Sequence, residues 1–154
     1  MPAKIWPEER YLTVGYSLIN ELGAIPIIFG DTVDRALGNR LIKAWKSGVN
    51  AAGELSVRQA AAVLARCRFY VGNDTGTMHL AAAVKTPCVA IFSARDWPGR
   101  WYPYGENNIV LREAVDCEGC MLNVCNRDLE CINMITVESV IAASRQIINL
   151  EGNA

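Results

Sequence analysis

The chain has 154 residues, 51% of them hydrophobic, and its 15 basic and 16 acidic side chains leave a formal net charge of -1. This hydrophobic content supports one folded domain with a sizeable core and excludes a disordered chain. The near balance of charge argues against a nucleic-acid-binding protein, which would show a basic excess on one face. The sequence also has neither a transmembrane segment, which needs about 20 apolar residues, nor a secretory signal, and this favours a soluble cytoplasmic protein.

Apolar runs and amphipathic patterns alternate along the first third of the chain. Pro7 suits the first position of a helix that ends at Gly23. The apolar run over 24–29 predicts a buried strand, and a polar helix is expected over 34–46. A short strand is expected over 49–52.

The same alternation continues to the end of the chain. Ser56 and Gln59 have capping-box spacing, and the helix they open has an apolar face made of Val57, Ala60, Leu64 and Cys67. The remaining predicted elements are strands over 69–72, 88–92 and 109–111, a helix over 75–84 and a final helix capped by Thr136. Together they predict an α/β fold with a parallel sheet between helices, in a single domain over 1–154.

Two irregular segments interrupt this pattern. The first, over 93–108, contains arginines and aromatic residues: Arg95, Trp97, Arg100, Trp101, Tyr102 and Tyr104. These side chains could line a ligand cleft, cover an edge of the domain or face a partner. The second, over 116–133, carries Cys117, Cys120, Cys125 and Cys131. Four thiols in one loop are a moderate zinc signature, because only one pair has tight spacing; free thiols and disulfides are the alternatives.

The most informative segment runs from Gly72 to His79, with the sequence Gly-Asn-Asp-Thr-Gly-Thr-Met-His. It joins the carboxyl end of a predicted strand to the first turn of a predicted helix, where open α/β sheets bind their ligands. Free amides at the positive end of a helix dipole suit a phosphate. Gly76 would let a ligand approach the backbone closely, because it has no Cβ.

A nucleotide diphosphate with an attached sugar would suit this segment. Thr75, Thr77 and His79 could donate hydrogen bonds to the pyrophosphate, and Asp74 is better suited to accept hydrogen bonds from sugar hydroxyls, because phosphates would repel it. Spacing alone leaves open an ordinary N-cap with a structural histidine. A nucleotide-dependent oxidoreductase is disfavoured, because no Gly-x-Gly-x-x-Gly follows a first strand.

A family resemblance favours the ligand interpretation. Asp74, Thr75, Gly76 and His79, with the Leu-Ala-Ala-Ala that follows and then Pro87, resemble the motif Asp-Thr/Ser-Gly-x-x-His-Leu/Ile-Ala-Ala-Ala of glycosyltransferase family 9, the ADP-heptose:lipopolysaccharide heptosyltransferases. The resemblance covers almost the whole chain. Its other matching segments are Lys4-Ile5-Trp6-Pro7, Ile28-Phe29-Gly30 with Asp34 beyond, Gly53 to Leu55, the clustered cysteines and the last helix.

The resemblance implies a GT-B enzyme with two Rossmann-like domains and an active site between them. This chain would be the C-terminal, donor-binding domain, and the N-terminal acceptor domain would be absent. Lys4 would reach the donor phosphates, Leu55 would pack on the adenine and Thr32 would lie near the ribose. The pyrophosphate and the sugar would contact Asp74, Thr75, Gly76 and His79.

The implied reaction is inverting transfer of heptose from ADP-heptose to the lipopolysaccharide inner core without a metal ion. The catalytic base would lie in the absent domain, so no catalytic residue is assigned in this chain, which alone should bind ADP or an ADP-sugar weakly and transfer nothing. The full-length protein could be peripheral to the inner membrane. Similar cysteines recur in the family without a general metal requirement, which favours a metal-free structural loop. The alternatives are a transferase for another nucleotide sugar and a non-catalytic nucleotide- or metal-binding module.

Overall fold

The computed structural model describes residues 1–151. Its helices are α1 (Glu8–Leu22), α2 (Arg35–Trp45), α3 (Val57–Leu64), α4 (Gly76–Ala83), α5 (Glu130–Asn133) and α6 (Val137–Glu151), and a 3-10 turn at Pro2–Lys4 precedes them. Its strands are β1 (Ile27–Ile28), β2 (Val49–Asn50), β3 (Tyr70–Asn73), β4 (Cys88–Phe92) and β5 (Ile109–Arg112). In this part of the chain no helix is both long and apolar enough to cross a bilayer.

Strand β4 lies between two hydrophobic layers. It pairs in parallel with β3 on one side and β5 on the other, and all five of its residues are buried. Val89 and Ile91 face a cluster that includes residues of α1 and α6, whereas Cys88, Ala90 and Phe92 face a second cluster with residues of α3 and α4. Because successive side chains of a strand point to opposite faces, this apolar run forms both cores. The predicted Rossmann-like, three-layer α/β architecture is confirmed.

Strands β1 and β2 form a separate two-stranded parallel sheet. The prediction of a buried strand over 24–29 is wrong in extent and in burial, because only two residues pair with β2 and Ile25 is exposed. Pro26 has no N–H to donate, and its carbonyl accepts a hydrogen bond from the N–H of Val49 at 2.8 Å.

Local capping signals locate the helix ends well. Ser56 and Gln59 form the predicted capping box, and Gly23 ends α1 in the left-handed conformation with φ 61°. The Thr136 hydroxyl accepts a hydrogen bond from the N–H of Ser139 at 3.1 Å, at the start of α6. These contacts are local, so the sequence alone predicts them.

Three local predictions are corrected by the structure. Pro7 is the N-cap of α1 rather than its first helical residue. Val57 is 72% exposed and lies outside the apolar face of α3, which reaches the core two turns later at Leu64. The segment 116–133 was expected to be irregular throughout, but its last four residues form α5, because Ile132 packs into the core.

Gly72 has no side chain, and the Tyr70 side chain occupies the space that a Cβ at position 72 would fill. A Cβ at position 72 would lie 2.3 Å from the Tyr70 hydroxyl oxygen, and Gly72 is itself buried in β3. We expect Gly72→Ala to lower the free energy of unfolding by about 1–3 kcal/mol, as overpacking typically does, in chemical denaturation. Gly76→Ala is the matched control and should cause no loss, because no atom lies within 4 Å of the added carbon. Equal losses in the two variants would contradict this account.

Candidate functional site

The candidate site lies where the parallel strands β3 and β4 end. Asp74 directly follows β3, and Asp96 lies four residues beyond β4, so both belong to the same edge of the sheet. The Lys4 ammonium forms an ion pair with Oδ2 of Asp74 and lies 3.7 Å from Oδ2 of Asp96. The side chains are 18% exposed for Lys4, 8% for Asp74 and 9% for Asp96. Each buried charge therefore has an opposite charge beside it, as burial requires.

Asn73 fixes the backbone of Lys4 to the end of β3. Its Oδ1 accepts hydrogen bonds from the Tyr11 hydroxyl at 2.6 Å and from the Trp6 N–H at 3.4 Å. Its Nδ2 donates to the Lys4 carbonyl at 2.5 Å. The Trp6 indole is buried and donates to the Ile135 carbonyl at 2.9 Å. Burial raises the pKa of Tyr11 well above its usual value, so that its hydroxyl remains a donor.

The start of α4 is open to an external hydrogen-bond acceptor. Thr75 is the N-cap in an extended conformation, but no side chain caps this end of the helix. Burial raises the pKa of Tyr70 to about 12, although the neighbouring Thr75 side chain lowers it in part. The amides of the first helical turn have no partner within the helix. Thr75 and Gly76 are exposed and Thr77 is half-buried.

His79 lies outside the core, one turn beyond Thr75. Its side chain is 42% exposed, and Nε2 lies 3.7 Å from Oδ1 of Asp74. The imidazole packs edge-on against Trp101, with ring centroids 6.5 Å apart. Lys4, Asp74 and His79, which are assigned to the site from sequence, are thus brought together.

A cavity of about 350 Å³ opens beside this cluster, and its lining residues are Met1, Lys4, Arg95, Asp96, Arg100, Trp101 and Met121. Three cationic side chains and one carboxylate give its wall a positive balance, which favours an anionic ligand. The structure adds Asp96, for which the sequence analysis gave no role. Its position just beyond the carboxyl end of a buried strand was the signal available.

Thr32 and Leu55 belong to the turns that follow β1 and β2. A Cβ at Gly53 would lie 2.9 Å from Cγ2 of Thr32, so Thr32 packs on the turn that leads to Leu55. The Gly53 N–H donates to the Gly30 carbonyl at 3.0 Å, and φ of Gly53 is 74°, which favours glycine. Thr32 is exposed and Leu55 is half-buried. The two residues predicted to contact the adenosine therefore both follow the ends of neighbouring strands.

Residues 1–129 match the sequence profile of glycosyltransferase family 9 (heptosyltransferase). The chain belongs to this family. Lipopolysaccharide heptosyltransferase 2 of Salmonella typhimurium is 40% identical over 96 residues, which cover 59% of this chain and 27% of that protein. Lipopolysaccharide heptosyltransferase 1 of Pseudomonas aeruginosa is 28% identical over 122 residues, which cover 79% of this chain and 34% of that protein.

Solved structures of family 9 proteins share the fold. ADP-heptose lipopolysaccharide heptosyltransferase II of E. coli superposes with a TM-score of 0.79 at 28% identity, over 99% of this chain and 44% of that chain. An E. coli heptosyltransferase solved with ADP-2-deoxy-2-fluoro heptose gives a TM-score of 0.68 at 26% identity, over 100% of this chain and 40% of that chain. This family 9 chain thus spans less than half the length of these relatives.

The cysteine-bearing loop of this family 9 chain holds free thiols, as do Cys67 and Cys88 elsewhere. Burial raises the pKa of Cys131, and the charges of Cys117 and Cys125 act in the same direction. Within residues 1–151, no group of three His, Cys, Asp or Glu side chains could hold a metal ion. The role of the loop without a metal remains a prediction.

Asp96 should make part of the folding stability depend on pH. Burial opposes its ionisation, but the Arg95 hydrogen bond and the charges of Arg95 and Lys4 outweigh burial and lower the pKa of Asp96 below its ordinary value of 3.8. This stabilisation is complete above that ordinary value and is lost as the pH falls through the lower folded-state value. We expect the difference in unfolding free energy between the unsubstituted chain and Asp96→Asn to shrink in acid.

Denaturant unfolding from about pH 6 to about pH 2 would measure this difference. Asp116→Asn is the control, because Asp116 is an exposed carboxylate in the cysteine-bearing loop. A difference that stays constant across the acid range would show that Asp96 ionisation contributes nothing to stability.

Proposed function

We propose that this chain is the donor-binding half of an inverting glycosyltransferase that transfers heptose from ADP-heptose to the lipopolysaccharide inner core. One observation carries the proposal: the uncapped start of α4 lies beside the Lys4 ammonium and the His79 imidazole at one strand end. The E. coli heptosyltransferase solved with ADP-2-deoxy-2-fluoro heptose, which is similar along the whole chain, supports an ADP-sugar as the donor.

The diphosphate would bind between the start of α4 and Lys4. The first-turn amides would donate to one phosphate at the positive end of the helix dipole. The space beside Gly76 is open, so a phosphate could approach the backbone there. Lys4 lines the cavity and would pair with the second phosphate while keeping its contact with Asp74.

The two oxygens of Asp74 would have different partners. Oδ2 pairs with Lys4, whereas Oδ1 faces the His79 imidazole at 3.7 Å. Oδ1 is therefore the oxygen that would accept a hydrogen bond from a sugar hydroxyl. Thr32 and Leu55, on the edge where β1 and β2 end, would contact the ribose and the adenine.

The reaction is a direct displacement at the anomeric carbon. An acceptor hydroxyl would form a new bond to this carbon on one face as the bond to the diphosphate oxygen breaks on the opposite face, which inverts the configuration. Negative charge would develop on the departing ADP, and fixed donors and cations stabilise such charge most when they are already oriented. Lys4, the α4 amides and His79 would supply this stabilisation without a metal ion.

The base that accepts the hydroxyl proton would come from an acceptor-binding domain outside this chain. That domain would bind the lipopolysaccharide precursor at the cytoplasmic face of the inner membrane. This chain alone should therefore bind ADP or ADP-heptose weakly and transfer nothing.

Calorimetric titration of the chain with ADP, UDP and GDP tests donor binding. We expect ADP to bind more tightly than the other two nucleotides, and Gly76→Val to weaken ADP binding at least about tenfold, which is 1.4 kcal/mol. The added side chain would fill space that no protein atom occupies, so the thermal unfolding midpoint should change little. Ala83→Val, at an exposed position of the same helix, is the matched control and should leave binding unchanged.

Three results would contradict the proposal. Absence of ADP binding, or binding that Gly76→Val does not affect, would remove the donor site. Glycosyl transfer by the purified chain would show that the base lies within it. Equal affinity for the three nucleotides would overturn only the adenine assignment.

A further inference from the structure

Asp96 is the centre of a cluster of donors around the cavity. Its Oδ2 accepts a hydrogen bond from Nη1 of Arg95 at 2.7 Å and lies 3.7 Å from the Lys4 ammonium. Its Oδ1 lies 4.0 Å from Nη1 of Arg100. The Trp101 side chain lies beside the carboxylate and contributes to the lowering of its pKa. All five residues line the same cavity.

The backbone around Asp96 is braced from outside this cluster. Nη2 of Arg112 donates to the Asp96 carbonyl at 3.0 Å, and Nη1 of Arg112 pairs with Glu118 at 2.6 Å. Nε of Arg95 donates to the Leu122 carbonyl at 2.7 Å. Arg112 thus holds the backbone of Asp96 without contacting its carboxylate, whereas Arg95 both holds this segment and donates to the carboxylate.

Contacts from Asp96 reach the residues already assigned to the donor site. Lys4 connects it to Asp74. Trp101 connects it to the His79 imidazole, and the guanidinium of Arg100 stacks over the Trp101 ring at 5.6 Å from its centroid. Arg100 is 48% exposed, so without Asp96 and Trp101 its long side chain would sample many conformations.

We propose that Asp96 is a positioning residue, which holds Lys4, Arg100 and Trp101 around the cavity so that the two cations meet the second phosphate of a nucleoside diphosphate. This inference rests on the proposed function, and it names the carboxylate that organises the cationic side chains around the cavity. Asp96 itself makes no contact with the ligand in this arrangement.

Charge and positioning have opposite consequences for binding at this position. A carboxylate near a diphosphate repels it, so neutralising Asp96 would tighten nucleotide binding if its charge acted alone. If Asp96 positions the cations, neutralising it releases Arg100 and leaves Lys4 held by Asp74 alone, and diphosphate binding weakens. The sign of the change therefore separates the two roles.

The test is calorimetric titration of the complete 154-residue chain with ADP and with AMP, which lacks the second phosphate. We expect Asp96→Asn to weaken ADP binding at least about tenfold and AMP binding by less than about threefold. Asp96→Glu restores the charge and should recover part of the ADP affinity. Asp116→Asn removes an exposed carboxylate outside the cavity and should leave both affinities unchanged.

The outcomes separate this inference from the proposed function. Unchanged or tighter ADP binding by Asp96→Asn would overturn the inference alone, and so would equal losses for ADP and AMP, which would indicate a purely structural role. Failure of the unsubstituted chain to bind ADP would overturn both.

Two milder variants keep the test decisive if Asp96→Asn does not fold. Trp101→Phe removes the indole N–H but keeps an aromatic ring, and Arg100→Gln changes a half-exposed side chain. Each should weaken ADP binding at least about threefold with little effect on AMP. If neither variant loses ADP affinity selectively, the inference is overturned.

Discussion

The ion pair between Lys4 and Asp74 joins two parts of the chain that are 70 residues apart in sequence. It brings the segment before α1 to the end of β3, and Asn73 holds the backbone of that segment in place. Lys4 is confined by two carboxylates that are themselves nearly buried, so its orientation is defined before any ligand arrives. A site that is already oriented loses less entropy on binding. Through this pair, Lys4 links the strand end that precedes α4 to the cationic cavity.

The elements that local sequence specifies were predicted well. Strand β4 is apolar in every residue, the capping box at Ser56 is a short-range pattern, and α4 begins directly after a motif that lies in one continuous segment. Strand β1 was predicted too long, because apolar residues before Pro26 resemble a buried strand although they reach the surface. Periodicity reports which residues are apolar, but whether a second layer covers them depends on tertiary packing.

The site itself was predicted only where a motif lies in one continuous segment. Asp74, Thr75 and His79 share a strand end and a helical turn, and were found together. Asn73 contacts Tyr11 across 62 residues, and the contact between Asp96 and Lys4 likewise joins distant segments, so spacing could not reveal either role. The family resemblance supplied Lys4, because it aligns a whole segment rather than a local period.

Strand β4 is buried and apolar on both faces, and this affects how the protein unfolds. Val89 and Ile91 belong to one apolar layer, and Cys88, Ala90 and Phe92 belong to the other, within a strand of five residues. Loss of either layer would expose the face of this wholly apolar strand that the layer covers, so the two layers should come apart in one cooperative event. The segment that carries Asp96 leaves from the end of this strand. The geometry of the candidate site and global unfolding are therefore coupled through one backbone, and partly opened forms that keep the cationic side chains around the cavity should be rare.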